Sequence, residues 1–142
     1  MTGQRKGTQI VTPAWTPEQL QQIDGSRELE IASIRPDGTQ RQWLPIWVVR
    51  VGDQVYVRTW YRRTTGWFGH VVRTRQARVR VPHLETDVVV EDISDGDTDL
   101  RSAVDQAYQT KYAPPGGGSV AQMTTDSAAA TTLRLSPAAK AA

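Results

Sequence analysis

Apolar and polar positions change period several times along this chain, and each change marks an element. Ahead of the first apolar residues, Thr16-Pro17-Glu18-Gln19 reads as a helix start. Thr16 can cap, Pro17 suits the first turn, and Gln19 completes a capping box. Trp15 and Leu20 are spaced for a hydrophobic staple, and Gly25 ends a short helix. From Arg27 to Ile34 the pattern alternates, placing Leu29 and Ile31 on one face of a strand. Arg35-Pro36-Asp37-Gly38 is turn chemistry, because proline presets φ and glycine accepts a positive φ.

The next stretch, Trp43 to Val49, is almost wholly apolar, as expected of one strand buried on both faces. Pro45 has no N–H to give a ladder, so that strand needs an edge or a bulge there. Gly52-Asp53 turns the chain into Val55 to Trp60, where Tyr56, Arg58 and Trp60 share one face and Val55, Val57 and Thr59 the other. A polar loop, Tyr61 to Gly66, leads to a short helix over Trp67 to Thr74. Ala77 to Val81 and Asp87 to Ile93 form a strand pair around Pro82. Asp97 to Tyr112 is the best helix, with Leu100, Ala103, Val104, Ala107, Tyr108 and Tyr112 in one stripe. Pro114 to Gly118 reads as a linker, Ser119 caps a helix to about Ala128, and Thr131 to Leu135 is a final strand.

About six strands joined mainly by hairpins, with helices at both ends, predict an α+β domain that is mainly β: an antiparallel barrel or sandwich. Residues 1–12 are expected to form a flexible arm, residues 13–137 one domain and residues 138–142 a tail. The 142 residues suffice to bury a core. The chain contains no cysteine, which excludes disulfides, thiolate metal sites and a cysteine nucleophile and fits a reducing compartment. No apolar run approaches a membrane span, and Met1 to Val11 lacks the apolar core of a signal peptide. The expected location is the cytoplasm.

Net charge is only +2, but it is segregated. Gln54 to Leu84 holds seven arginines and no acid, whereas Glu85 to Asp99 holds seven acids and no base. Arg78 and Arg80 are expected to neutralise the acidic strand across a hairpin. His70 and His83 are the two histidines, and neither has a ligand partner nearby in sequence. Asp95, Asp97 and Asp99 imitate the opening of a calcium loop, but Leu100 and Gln106 stand where its glycine and its bidentate glutamate belong. There is no P-loop, no G-x-G-x-x-G and no G-x-S-x-G.

The informative segment is Trp43 to Trp67, where Trp43, Trp47, Trp60, Tyr61 and Trp67 are interleaved with Arg58, Arg62, Arg63, Thr59, Thr64 and Thr65. Flat aromatic surface beside guanidinium and hydroxyl donors suits a planar, phosphorylated ligand. Thr64 and Thr65 stand at a helix start, where free N–H groups favour anions. Basic residues among aromatics also mark single-strand nucleic-acid binding. The small net charge and the adjoining acidic segment count against that reading.

Several pieces resemble a known family. They are Glu28-Leu29-Glu30-Ile31-Ala32, Arg35-Pro36-Asp37-Gly38, Pro45-Ile46-Trp47-Val48-Val49-Arg50-Val51-Gly52-Asp53 and Val55-Tyr56-Val57-Arg58. Ala107-Tyr108, Lys111-Tyr112, Met123-Thr124 and Thr131 to Pro137 continue the likeness. In that order they resemble the DUF2255 family, a domain of unknown function, from about Trp15 to Pro137. Its strand order is similar to the flavin- and deazaflavin-binding split β-barrels, the group that includes pyridoxamine-phosphate-oxidase-like proteins. The resemblance implies an antiparallel split β-barrel with flanking helices, forming a homodimer whose interface holds FMN or the deazaflavin coenzyme F420, with hydride transfer as the chemistry. By position, Leu44, Pro45, Ile46 and Trp47 would face the ring. Arg58, Thr59, Arg62, Arg63, Thr64 and Thr65 would be the phosphate candidates. Many flavin-binding members carry a lysine where this chain has Thr65-Gly66-Trp67. A carrier or sensor holding a planar anion without turnover is the alternative on the same barrel.

Overall fold

A computed structural model of the chain describes residues 14–59, 66–93, 98–112 and 123–138. In chain order these form α1 (Pro17–Asp24), β1 (Leu29–Ser33), β2 (Leu44–Ile46), β3 (Val48–Val51), β4 (Gln54–Val57), α2 (Gly66–Thr74), β5 (Gln76–Val81), β6 (Leu84–Asp92), α3 (Thr98–Tyr112), α4 (Asp126–Ala129) and β7 (Leu133–Pro137). The expected arm and linker, the Ser119 cap and all of the tail but Ala138 lie outside the described residues.

The strands make one antiparallel sheet in the order β2-β1-β5-β6-β7-β4-β3. Its two edges, β2 and β3, are consecutive in the chain and only Trp47 separates them. The chain bends at Trp47 from pairing with β1 to pairing with β4, so the ring is closed by a peptide linkage rather than by a ladder. This corrects two expectations. There are seven strands, not about six, because the apolar run from Trp43 to Val49 is two strands. Nor is that run buried on both faces: Leu44 and Pro45 are exposed, Ile46 is half-buried, and burial begins at Val48.

Pro45 does occupy an edge. Arg41 N–H donates to Ser33 O at 2.9 Å, so Ser33 presents its backbone to this side of β1. Backbone polarity alternates along a strand, and Pro45 lies opposite Glu30 in register. Its missing N–H would therefore have faced the open edge, the position where proline costs least and where it blocks further strand addition.

Side-chain alternation divides the apolar residues into two cores. Leu29, Ile31, Val48, Val55, Val57, Val79, Val88, Val90, Leu133 and Leu135 fill the barrel. Leu20 and Ile23 from α1, with Phe68 and Val71 from α2, pack onto that cluster. Each aliphatic side chain so buried contributes about 1.5–3 kcal/mol. A second cluster lies outside the barrel, where Val49 and Tyr56 meet Val104, Tyr108 and Tyr112 of α3. The predicted α3 stripe is thus the face that packs.

Local signals held where they were strong. Thr16 Oγ1 accepts from Gln19 N–H at 3.1 Å while Gln19 Oε1 accepts from Thr16 N–H at 2.9 Å, which is the capping box. Trp15 and Leu20 are both buried in the barrel cluster, and Trp15 Nε1 donates to Leu135 O at 2.9 Å. The Gly52-Asp53 and Pro82-His83 hairpins are two-residue loops, with positive φ at Gly52 (61°) and His83 (69°). The helix expected to run unbroken to Ala128 does not: Thr124 and Thr125 interrupt it, and Thr125 caps α4.

Across the β5–β6 hairpin, Arg78 lies opposite Asp87 and pairs with it at 2.8 Å and with Glu85 at 3.0 Å. Arg80 lies opposite Glu85 but turns the other way, to Glu30 of β1 at 2.7 Å. Of the two arginines expected to neutralise the acidic strand, Arg78 does so and Arg80 pairs with β1 instead.

Candidate functional site

Every residue of β4 from Val55 onward is buried, including Arg58 and Thr59 just beyond it. Alternation explains why. Val55 and Val57 point into the barrel, so Tyr56 and Arg58 point outward, and α3 covers that outward face. Arg58 is only 1% exposed. Its Nη1 donates to Asp105 Oδ1 at 2.5 Å and to Met123 O at 2.8 Å, its Nε donates to Thr132 Oγ1 at 2.8 Å, and its charge lies 5.7 Å from the centre of the Tyr108 ring. Arg101 extends the network, reaching Asp105 at 3.5 Å and Asp126 at 2.7 Å.

Arg58 was expected among phosphate ligands at the end of a strand. The structure places it instead as a tie between β4, α3 and the segment from Met123 to Thr132. A cation taken out of water needs a carboxylate, and α3 supplies one. Thr59 is likewise enclosed: its N–H donates to Thr131 Oγ1 at 3.0 Å and its C=O accepts from the same hydroxyl at 2.8 Å. Neither residue lies on an open surface. Arg62, Arg63, Thr64 and Thr65 fall outside the described residues.

The other expected group is together by construction. Leu44, Pro45 and Ile46 form β2, laddered to β1 on one side only. Leu44 is 37% exposed, one of two large apolar side chains left outward among the described residues. Trp43, just upstream, lies under Arg80, whose charge is 4.3 Å from the ring centre. Trp47 is committed elsewhere: it stacks on Tyr112 at 4.1 Å with the planes 3° apart, and its C=O accepts from Tyr108 Oη at 3.4 Å.

Sequence reasoning missed the seam beside β3. Val48 N–H donates to Tyr112 Oη at 3.0 Å, and the same hydroxyl lies 3.0 Å from Val48 O and 2.8 Å from Arg27 O. Lys111 Nζ donates to Val48 O at 3.0 Å and to Ile23 O at 3.3 Å. Burial pushes the Tyr112 hydroxyl up to about 12, and burial also raises Tyr108. Burial lowers Lys111, against the pull of Asp24. The Lys111-Tyr112 dipeptide at the helix end was the available signal.

Cavities open on the outside of the sheet. One, of about 450 Å³, lies between β3 and α3 and is bordered by Arg50, Ala107 and Lys111. Another, of about 570 Å³, lies on the outer face of β5 and β6 beside Gln40 and Val89. Neither is lined by Leu44, Pro45, Ile46, Trp47, Arg58 or Thr59. Among the described residues there is no cluster of side chains able to hold a metal ion, and no helix long and apolar enough to cross a membrane.

The model of a family described as an uncharacterized protein conserved in bacteria, DUF2255, matches residues 19–135. No curated protein sequence matches the chain. Among solved structures, a conserved hypothetical protein of Mycobacterium tuberculosis is similar at 14% identity and a TM-score of 0.59, covering 94% of this chain and 86% of its own. HutZ, the heme storage protein of Vibrio cholerae, is similar at 11% identity and a TM-score of 0.55, covering 87% and 90%. An F420 reductase aligns at 15% identity and a TM-score of 0.48, covering 84% and 92%. The strand order and the likeness to the Mycobacterium tuberculosis protein identify the architecture as an antiparallel split β-barrel with flanking helices.

Proposed function

This chain belongs to the DUF2255 family of uncharacterized bacterial proteins, and we propose that it binds a planar, phosphorylated cofactor of the flavin class, FMN or deazaflavin, along the open edge of its barrel. The observation that carries this reading is β2. It is an edge strand with an outward-facing Leu44, and Pro45 prevents that edge from recruiting another strand. An edge of that kind offers a flat apolar surface and free backbone groups, which suits a conjugated ring with a polar rim.

In this proposal Leu44, Pro45 and Ile46 face the ring, and Trp47, held by Tyr112, fixes the bend that presents them. Arg62, Arg63, Thr64 and Thr65, ahead of α2, hold the phosphate. Arg58 and Thr59, enclosed among α3 and the segment from Met123 to Thr132, do not touch the ligand. A ligand on β2 is covered on one side only, so a second copy of the chain completes the site and the working form is a homodimer in the cytoplasm. The cofactor, when bound, supplies hydride transfer. The protein contributes orientation and exclusion of water. A carrier that holds the same ligand without turnover is the alternative on the same barrel.

The test is titration of the purified protein with FMN and with F420, following ligand fluorescence. Saturable micromolar binding of either supports the reading, and turnover with a reduced nicotinamide donor then separates enzyme from carrier. Absence of binding by both removes the cofactor assignment.

A further inference from the structure

We propose that Arg41, His70 and Arg73 form a receptor for a phosphate dianion. Offered to the ligand described above as an alternative phosphate seat to the segment ahead of α2, this deepens that reading and rests on it for the ligand's identity, though not for the site itself.

Arg41 lies three residues upstream of β2, and His70 and Arg73 lie on α2, which packs against β1 beside β2. Arg73 Nη2 is 2.9 Å from His70 Nδ1. A guanidinium only donates, so Nδ1 is the accepting, unprotonated nitrogen and the imidazole proton sits on Nε2. Burial, followed by the charges of Arg41 and Arg73, lowers His70 below the ordinary histidine range. Arg41 Nε is enclosed and meets no acceptor.

Ion pairs among the described residues engage Arg58, Arg78, Arg80, Arg101 and Arg134. None reaches Arg41, His70 or Arg73. The His70–Arg73 pair and the Arg41 guanidinium therefore stand without a carboxylate among the described residues. One enclosed donor without an acceptor, Arg41 Nε, beside two further donors at the surface lacks one component: an anion with several acceptor oxygens. A phosphate dianion offers oxygens to Arg41 Nε, to His70 Nε2–H and to the guanidinium of Arg73 at once. A carboxylate has two oxygens and half the charge.

The chain has two histidines, and His83, in the β5–β6 turn, is an internal control. The experiment is an NMR titration of both imidazoles with inorganic phosphate at constant ionic strength, in the wild type, Arg41→Gln and Arg73→Gln. Arg73 is exposed and Arg41 half-buried, and thermal melts confirm that both variants fold. The expected result is a saturable shift at His70, absent at His83, with the His70 pKa rising as phosphate binds. Each substitution weakens binding by about tenfold or more. Equal response of the two histidines, or an unchanged response in both variants, overturns the proposal. FMN and riboflavin supply the distinguishing arm. If phosphate behaves as expected but FMN does not bind, the anion site stands and the flavin reading fails. If FMN binds equally to the wild type and both variants, the flavin reading stands and this site is not its phosphate receptor.

Discussion

Tyr112 stands in for a missing strand at Val48. Its hydroxyl accepts the Val48 N–H at 3.0 Å and lies 2.8 Å from Arg27 O, across the seam where the barrel has no ladder. Tyr112→Phe keeps the ring and its stack on Trp47 but strands these buried backbone groups. The expected loss is about 1–3 kcal/mol. It would appear as a lower urea midpoint with an unchanged slope, and an unchanged midpoint would mean that the seam is held without the hydroxyl.

The same hydroxyl sets an alkaline limit. Unfolded tyrosine releases its proton near ~10, whereas burial holds Tyr112 up to about 12 and raises Tyr108 as well. Between those values the folded state binds more protons than the unfolded chain, so stability falls as pH rises. Lys111 acts with the opposite sign. Its folded pKa is lowered from 10.5, so it adds stability as pH rises towards that value and nothing beyond it. Urea midpoints should therefore decline above pH ~10, and the decline should be shallower in Tyr112→Phe.

Arg58 depends on one carboxylate. Asp105→Ala leaves a fully buried cation without its counter-charge, an error that costs about 3–5 kcal/mol when both partners are deeply buried. Asp105 is itself 23% exposed, so the expected loss is near the lower bound. Arg58→Met in the Asp105→Ala background should recover part of that loss, because it removes the charge and keeps the volume. Chemical denaturation of the three variants tests this, and a double variant no better than Asp105→Ala would show that the ion pair is not the source of the cost.

Arg75 follows α2 with a φ of 60°, and its N–H donates to Val71 O at 2.7 Å, the bond that ends a helix in a left-handed cap. The cap favours glycine, and the arginine side chain is exposed. Arg75→Gly should stabilise the protein by about 0.5–1 kcal/mol, the relief of left-handed strain less the extra freedom of the unfolded chain. A thermal melt showing no gain would mean that the Arg75 side chain has a stabilising role that offsets the strain.

The features legible in the sequence were those whose cause is local. The capping box at Thr16, the turn at Arg35 to Gly38, the alternation of β1 and the α3 stripe each depend on residues within a few positions of one another. Arg58 and the run from Trp43 to Val49 were read less well, for a shared reason. Arg58 is buried because Asp105 and Thr132 arrive from distant parts of the chain, and the apolar run divides at Trp47 because its two halves belong to opposite edges of the sheet. Hydrophobicity marks such a run as structural but carries no record of its neighbours. At the proposed anion site, His70 and Arg73 stand one helical turn apart in the sequence, whereas Arg41 comes from the connection between β1 and β2.

The position of β7 has a consequence for biosynthesis. It is the last strand in chain order, yet it lies between β6 and β4 and ladders to both, pairing Leu135 with Val55 on one side and Val90 on the other. A nascent chain that has not yet extended through residues 133–137 therefore carries two unsatisfied strand edges in the middle of its future sheet, not at its margins. Such edges recruit other chains, and pairings this remote form slowly. Emergence of that short segment from the ribosome is the event that completes the barrel, and polypeptides ending upstream of Leu133 are expected to be substrates for chaperones and proteases rather than smaller folded proteins.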